Sequence, residues 1–115
     1  MKLGDIIKDL DLEIKVDGEN FDSDVSVCYV SDLLSNVMGQ ALDGSLWVTM
    51  QGHQNIVAIA SLLSLPAIII TGSSAIETET LKKAKENGVT ILSTPMTMFE
   101  AAGRLYQLGL RGTGK

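Results

Sequence analysis

Short apolar runs and polar turns alternate along the second half of this chain with a regular beat. Leu46-Trp47-Val48-Thr49 leads through Met50 to His53 into Gln54–Leu65. Ala67-Ile68-Ile69-Ile70-Thr71 leads through Gly72-Ser73-Ser74 into Ile76–Asn87, and Thr90-Ile91-Leu92-Ser93-Thr94 leads through Pro95 into Met96–Leu108. Each unit reads as a strand ending in threonine, a small polar loop and a helix. Strands alternating with helices predict an α/β domain with a mostly parallel sheet and helices packed on it. Loops that can touch a ligand then collect outside the carboxyl ends of the strands.

The first half adds further elements. Leu3, Ile6, Ile7 and Leu10 form a helical stripe over Met1–Leu10, and Leu12, Ile14 and Val16 alternate with Glu13 and Lys15 as in a half-buried strand. Asp17-Gly18 marks a turn, and Val25–Val30 is a second strand. Ser31 is placed to cap a helix over Asp32–Met38, with Asp32 at its positive end and Gly39 as its stop. Asp43-Gly44 turns the chain into the repeat. Residues 1–110 therefore make one domain and 111–115 a flexible tail.

Two helices in the repeat call for comment. Gln54–Leu65 is apolar on nearly every face, as expected of a helix buried on all sides. Either it lies centrally against the sheet, or its outer side packs on a second subunit, which predicts a homodimer. In the last helix Phe99, Ala102, Leu105 and Tyr106 recur at helical spacing, and Gly103 suggests close packing.

Composition narrows the function. A chain of 115 residues, 45% hydrophobic and 20% charged, suits one globular domain. The net charge of −5 disfavours nucleic acid and anionic membranes as partners. The longest apolar stretch, Ile56–Ile70, is broken by Ser61, Ser64 and Pro66, so no membrane span and no signal peptide are expected. A cytoplasmic location follows. No Lys or Arg occurs between Lys15 and Lys82, so a phosphate at the first strand-end loops would rest on backbone N–H groups and helix N-termini. Cys28 stands alone as a small buried hydrophobe. Eight of the fourteen acids lie in the first 24 residues, but Asp22-Ser23-Asp24 lacks the spacing of a calcium loop, and no metal or cofactor is expected.

The candidate ligand-binding residues are Thr49, Gln51, Gly52, His53, Gln54, Thr71, Gly72, Ser73, Ser74 and Thr94. They are neutral and rich in hydroxyls, which suits hydrogen bonding to a small polar molecule rather than bond breaking. Gly72 permits close backbone approach, and Ser73 and Ser74 make either a weak anion nest or a helix cap. His53 is the sole histidine and has no nucleophile or orienting acid beside it in sequence, so catalysis has little support. The closing Gly112-Thr113-Gly114-Lys115 lacks the spacing of a phosphate loop.

The pattern resembles the DRTGG domain family, with Gly52-His53-Gln54 at the first family turn and Thr71-Gly72-Ser73 at the second. Tyr29-Val30-Ser31-Asp32-Leu33-Leu34-Ser35, Val37-Met38-Gly39 and Gln51–Val57 are similar to its small stand-alone branch. His53 and Gln54 stand where the family name has Asp and Arg, and Ser73 where it has the second Gly. The resemblance extends to the non-kinase N-terminal domain of HPr kinase/phosphorylase. It implies a non-catalytic regulatory or interaction domain, with a hydrogenase or NADH-dehydrogenase-like complex of an anaerobe as partner. The alternative it implies is a small-molecule sensor, for instance of an adenine nucleotide.

Overall fold

The computed structural model describes residues 1–112. Ten elements follow one another: α1 (Leu3–Asp9), β1 (Glu13–Val16), β2 (Cys28–Val30), α2 (Leu34–Gln40), β3 (Leu46–Thr49), α3 (Asn55–Leu62), β4 (Ile68–Ile70), α4 (Thr78–Asn87), β5 (Ile91–Ser93) and α5 (Met98–Gln107). They build one five-stranded sheet in the order β1-β5-β4-β3-β2. Strands β2 to β5 run parallel to one another, while β1 lies antiparallel beside β5 at the edge, with Glu13 opposite Ser93. The α/β class and the mostly parallel sheet expected from the alternation are both present.

The central strands carry the core because their side chains alternate between two apolar layers. Leu46, Val48, Ile69 and Leu92 face α1 and α5, where they pack with Leu3, Ile6, Ala101 and Leu105. Trp47, Ile68, Ile70 and Ile91 face α2, α3 and α4, where they meet Val37, Ile56, Ile59 and Ala84. Each fully buried aliphatic side chain contributes about 1.5–3 kcal/mol. The Trp47 indole N–H satisfies its polar edge by donating to the Ser31 carbonyl at 2.9 Å.

Several boundaries differ from expectation for identifiable reasons. Helix α2 begins at Leu34 rather than Asp32 and runs through Gly39 to Gln40. Ser31 instead makes a local turn, its Oγ accepting from the Leu33 N–H at 3.2 Å. Helix α3 is central, flanked by α2 and α4 on the sheet, and buries Ile56, Val57, Ile59 and Ala60. That position accounts for most of its apolarity, although Leu62 on its outer side remains 65% exposed. Helix α4 begins two residues later than expected and ends at Gly88, whose φ of 66° is the left-handed cap that glycine favours.

Helix α5 faces the sheet with Ala101 and Leu105, while Phe99 is 84% exposed. Apolar residues occupy two overlapping stripes of this helix, and the stripe carrying the smaller Ala101 is the one buried. Gly103 has open space around it rather than close packing. Arg111, assigned to the tail from sequence, pairs its backbone with β2. Its N–H donates to Ser26 at 3.0 Å and its carbonyl accepts from Cys28 at 2.9 Å. Thr113, Gly114 and Lys115 lie outside the described residues. Among the described residues no helix is long and apolar enough to cross a membrane.

Candidate functional site

The sheet sets the ends of β2, β3, β4 and β5 side by side, which brings Thr49, Thr71 and Thr94 to one rim. All three are buried, and their hydroxyls are used inside the protein. Thr49 Oγ1 donates to Asp32 Oδ1 at 2.7 Å and accepts from the Gln51 N–H at 3.1 Å. Thr71 Oγ1 donates to the Thr49 carbonyl at 3.4 Å. Thr94 Oγ1 accepts from the Met96 N–H at 3.2 Å. Thr49 and Thr94 thus end their strands by closing short turns, while Thr71 ties β4 across to β3, and each hydroxyl does so without a ligand.

The loop after β4 is braced in the same way. Gly72 and Ser73 both have left-handed backbones, with φ of 67° and 51°. Their N–H groups donate to the carbonyls of Met96 at 2.7 Å and Thr94 at 3.0 Å, and the Ser74 N–H donates to Thr71 at 3.3 Å. The Ser73 and Ser74 amides of the expected anion nest, and that of Gly72 beside them, therefore point at main-chain oxygens. Neither serine caps α4, whose N-cap position is Glu77.

Gly52 is the tightest point of the rim. A Cβ built on it would lie 2.0 Å from the Ala75 carbonyl oxygen, so no other residue fits without moving backbone. Its own carbonyl accepts from the Glu77 N–H at 3.1 Å and from Thr80 Oγ1 at 2.6 Å. These bonds lock the turn after β3 to the first turn of α4. His53 next to it is exposed, and its Nδ1 accepts from the Asn55 N–H at 3.1 Å. Gln54 points away from the rim, into a groove of about 490 Å³ between α3 and α4.

Asp32 is the rim residue that the sequence pattern missed. Its Oδ1 accepts from Thr49 Oγ1 and from the Met50 N–H, each at 2.7 Å, and its carbonyl accepts from Gln51 Nε2 at 3.2 Å. The sequence pattern gives it to a helix N-terminus, yet it stands two residues past the end of β2, the strand parallel to β3. That register was the signal that could have found it. Its carboxylate makes this end of the rim acidic.

Cys28 is half-buried rather than fully buried, packs against the layer that holds α1 and α5, and has its thiol pushed up to about 12 by desolvation. The neutral thiol is favoured in the folded state. Stability is therefore complete below the ordinary value of 9.0 and falls as pH rises from there toward 12. We expect native Cys28 to alkylate slowly with iodoacetamide at mildly alkaline pH and rapidly once denatured. Equal rates in the two states would contradict its burial. Among the described residues no cluster of His, Cys, Asp or Glu is arranged to hold a metal ion.

These features define a three-layer α/β domain whose strand-end loops are held by their own hydrogen bonds. Residues 5–108 match the DRTGG domain, and the chain belongs to that family. Among solved structures it is similar to the CBS and DRTGG domains of the regulatory region of Clostridium perfringens pyrophosphatase, complexed with the activator diadenosine tetraphosphate. The TM-score is 0.72 at 20% identity, over 98% of this chain and 51% of that one. The chain spans about half the length of that regulatory region, and the likeness is one of fold. No curated protein matches it in sequence.

Proposed function

We propose that this chain is a non-catalytic regulatory domain that acts through protein contacts, as a homodimer serving a redox or fermentative enzyme system. The observation that carries this reading is the braced rim. Its threonine hydroxyls and loop amides are committed to internal partners, and Asp32 adds negative charge where an anionic ligand would sit. Family membership supports a regulatory role, since a DRTGG domain forms part of the regulatory region of the clostridial pyrophosphatase. Exposed Leu62 on α3 and Phe99 and Tyr106 on α5 offer apolar surface for contacts.

Sedimentation of the purified chain tests the dimer. A species of twice the 12.3 kDa monomer mass is expected, dissociated by Leu62→Glu on the outer side of α3. A monomer at every concentration overturns that part. Reciprocal co-purification with hydrogenase or NADH-dehydrogenase-like subunits tests the partner class, and failure to enrich them overturns it.

A further inference from the structure

We propose that the seam between β1 and α4 is a binding groove for a phosphorylated small molecule of the nucleotide class. The proposal goes beyond the protein-contact reading, because it names a ligand site along β1 and α4 that meets the rim only at Ser73 and Ser74. Two adjoining cavities make the groove, of about 290 Å³ and about 580 Å³, and they share Lys15 and Leu81 as common walls. Both lie near or within the size range of ligand pockets. The smaller reaches up to the Ser73 and Ser74 loop, and the larger runs down α4 past Lys82 and Lys85.

The arrangement follows from the topology. Helix α4 crosses from β4 to β5 and overlies β1 at the sheet edge. Thr78, Leu81, Lys82 and Lys85 are spaced at i, i+3, i+4 and i+7, so one helix face lines the groove. Across from them β1 supplies Lys15, Val16 and Asp17. Across the two cavities three ammonium groups, Lys15, Lys82 and Lys85, meet two carboxylates, Glu13 and Asp17, on a chain whose net charge is −5.

Among the described residues the ion pairs are Lys2–Asp24 and Lys15–Glu13. Lys82 and Lys85 therefore have no carboxylate partner there. Lys85 also suits the C-terminal end of α4, and Lys15 on the opposite wall is held by Glu13, which leaves Lys82 and Lys85 as the cations open to a ligand. Val16 and Leu81 supply apolar surface between the cations. Cations over an apolar floor fit a ligand with a phosphate chain and a flat apolar body, and the serine hydroxyls at the upper end suit its polar edge. On an acidic chain, unpaired Lys82 and Lys85 give this groove a local excess of positive charge.

Calorimetric titration with ATP, adenosine and tripolyphosphate tests the proposal on the full chain. ATP is expected to bind, more tightly than either fragment. Tripolyphosphate binding as tightly as ATP would reassign the groove to phosphate chains alone and overturn the nucleotide class. Lys82→Glu and Lys85→Glu are expected to weaken ATP about tenfold or more, with circular dichroism unchanged because both side chains are exposed. Lys83→Glu is the control, since Lys83 lies on the same helix but lines the groove with α3. An equal loss with Lys83→Glu would mean a general charge effect and overturn the site. No ATP binding at about 1 mM would overturn it outright. Sedimentation of the same samples keeps this outcome separate from the fate of the dimer.

Discussion

The strand-end rim and the β1–α4 seam are neighbours that use polar side chains in opposite ways. At the rim, Thr49, Thr71, Thr94 and Asp32 bond to one another or to adjacent backbone, and Gly52 sits hard against the Ala75 carbonyl. Along the seam, Lys82 and Lys85 project beside an open cavity without a carboxylate partner among the described residues. The rim polar groups therefore hold the fold together, whereas the seam lysines add little to it. Polar residues grouped in a loop are not by themselves a site. What matters is whether their donors and acceptors remain available once the chain has folded.

Substitutions sharpen this contrast in descending order of effect. Gly52→Ala forces a methyl into the backbone of the next loop and is expected to cost about 3 kcal/mol, in the upper range for overpacking. Thermal denaturation would show a midpoint lowered by about 10–20 °C. An unchanged midpoint would mean that the two loops are not locked together. Asp32→Ala removes the acceptor of two hydrogen bonds and is expected to cost about 1–2 kcal/mol, read from urea titration.

Ser73→Gly has the opposite sign. Ser73 holds a left-handed backbone where the family pattern has glycine, and relieving it is expected to stabilise by about 0.5–1 kcal/mol. A loss of stability would show that the Ser73 side chain supports the loop. Lys82→Ala and Lys85→Ala are expected to stay within about 0.5 kcal/mol of the parent in the absence of ligand. A large loss from either would make the seam part of the structural frame and erase the distinction.

Much of the fold was legible because β3, β4 and β5 are buried on both faces and appear as short, mainly apolar runs ending in threonine. Their order in the sheet follows their order in the chain, so local pattern and global arrangement agree. The antiparallel placement of β1 was not legible, since its partner β5 lies far along the chain and no turn connects them. The same distance hid the meeting of Lys15 with Lys82 and Lys85. Asp32 was visible as a residue but not as a contact, because its bonds run sideways to β3 rather than along α2. In α5 two apolar stripes at helical spacing compete, and only packing decides that Ala101 goes in and Phe99 stays out.

The sheet order also sets when the parts of the molecule come into being. Strands β2 to β5 can join one by one as a nascent chain emerges, each finding a neighbour already made. Strand β1 is synthesised earlier yet must wait for β5, with Glu13 idle until Ser93 arrives. Closing so long a loop is the slow, entropically costly step of such a topology. The groove along β1 and α4 is consequently among the last features to exist during synthesis, and a fragment ending before β5 would lack it altogether.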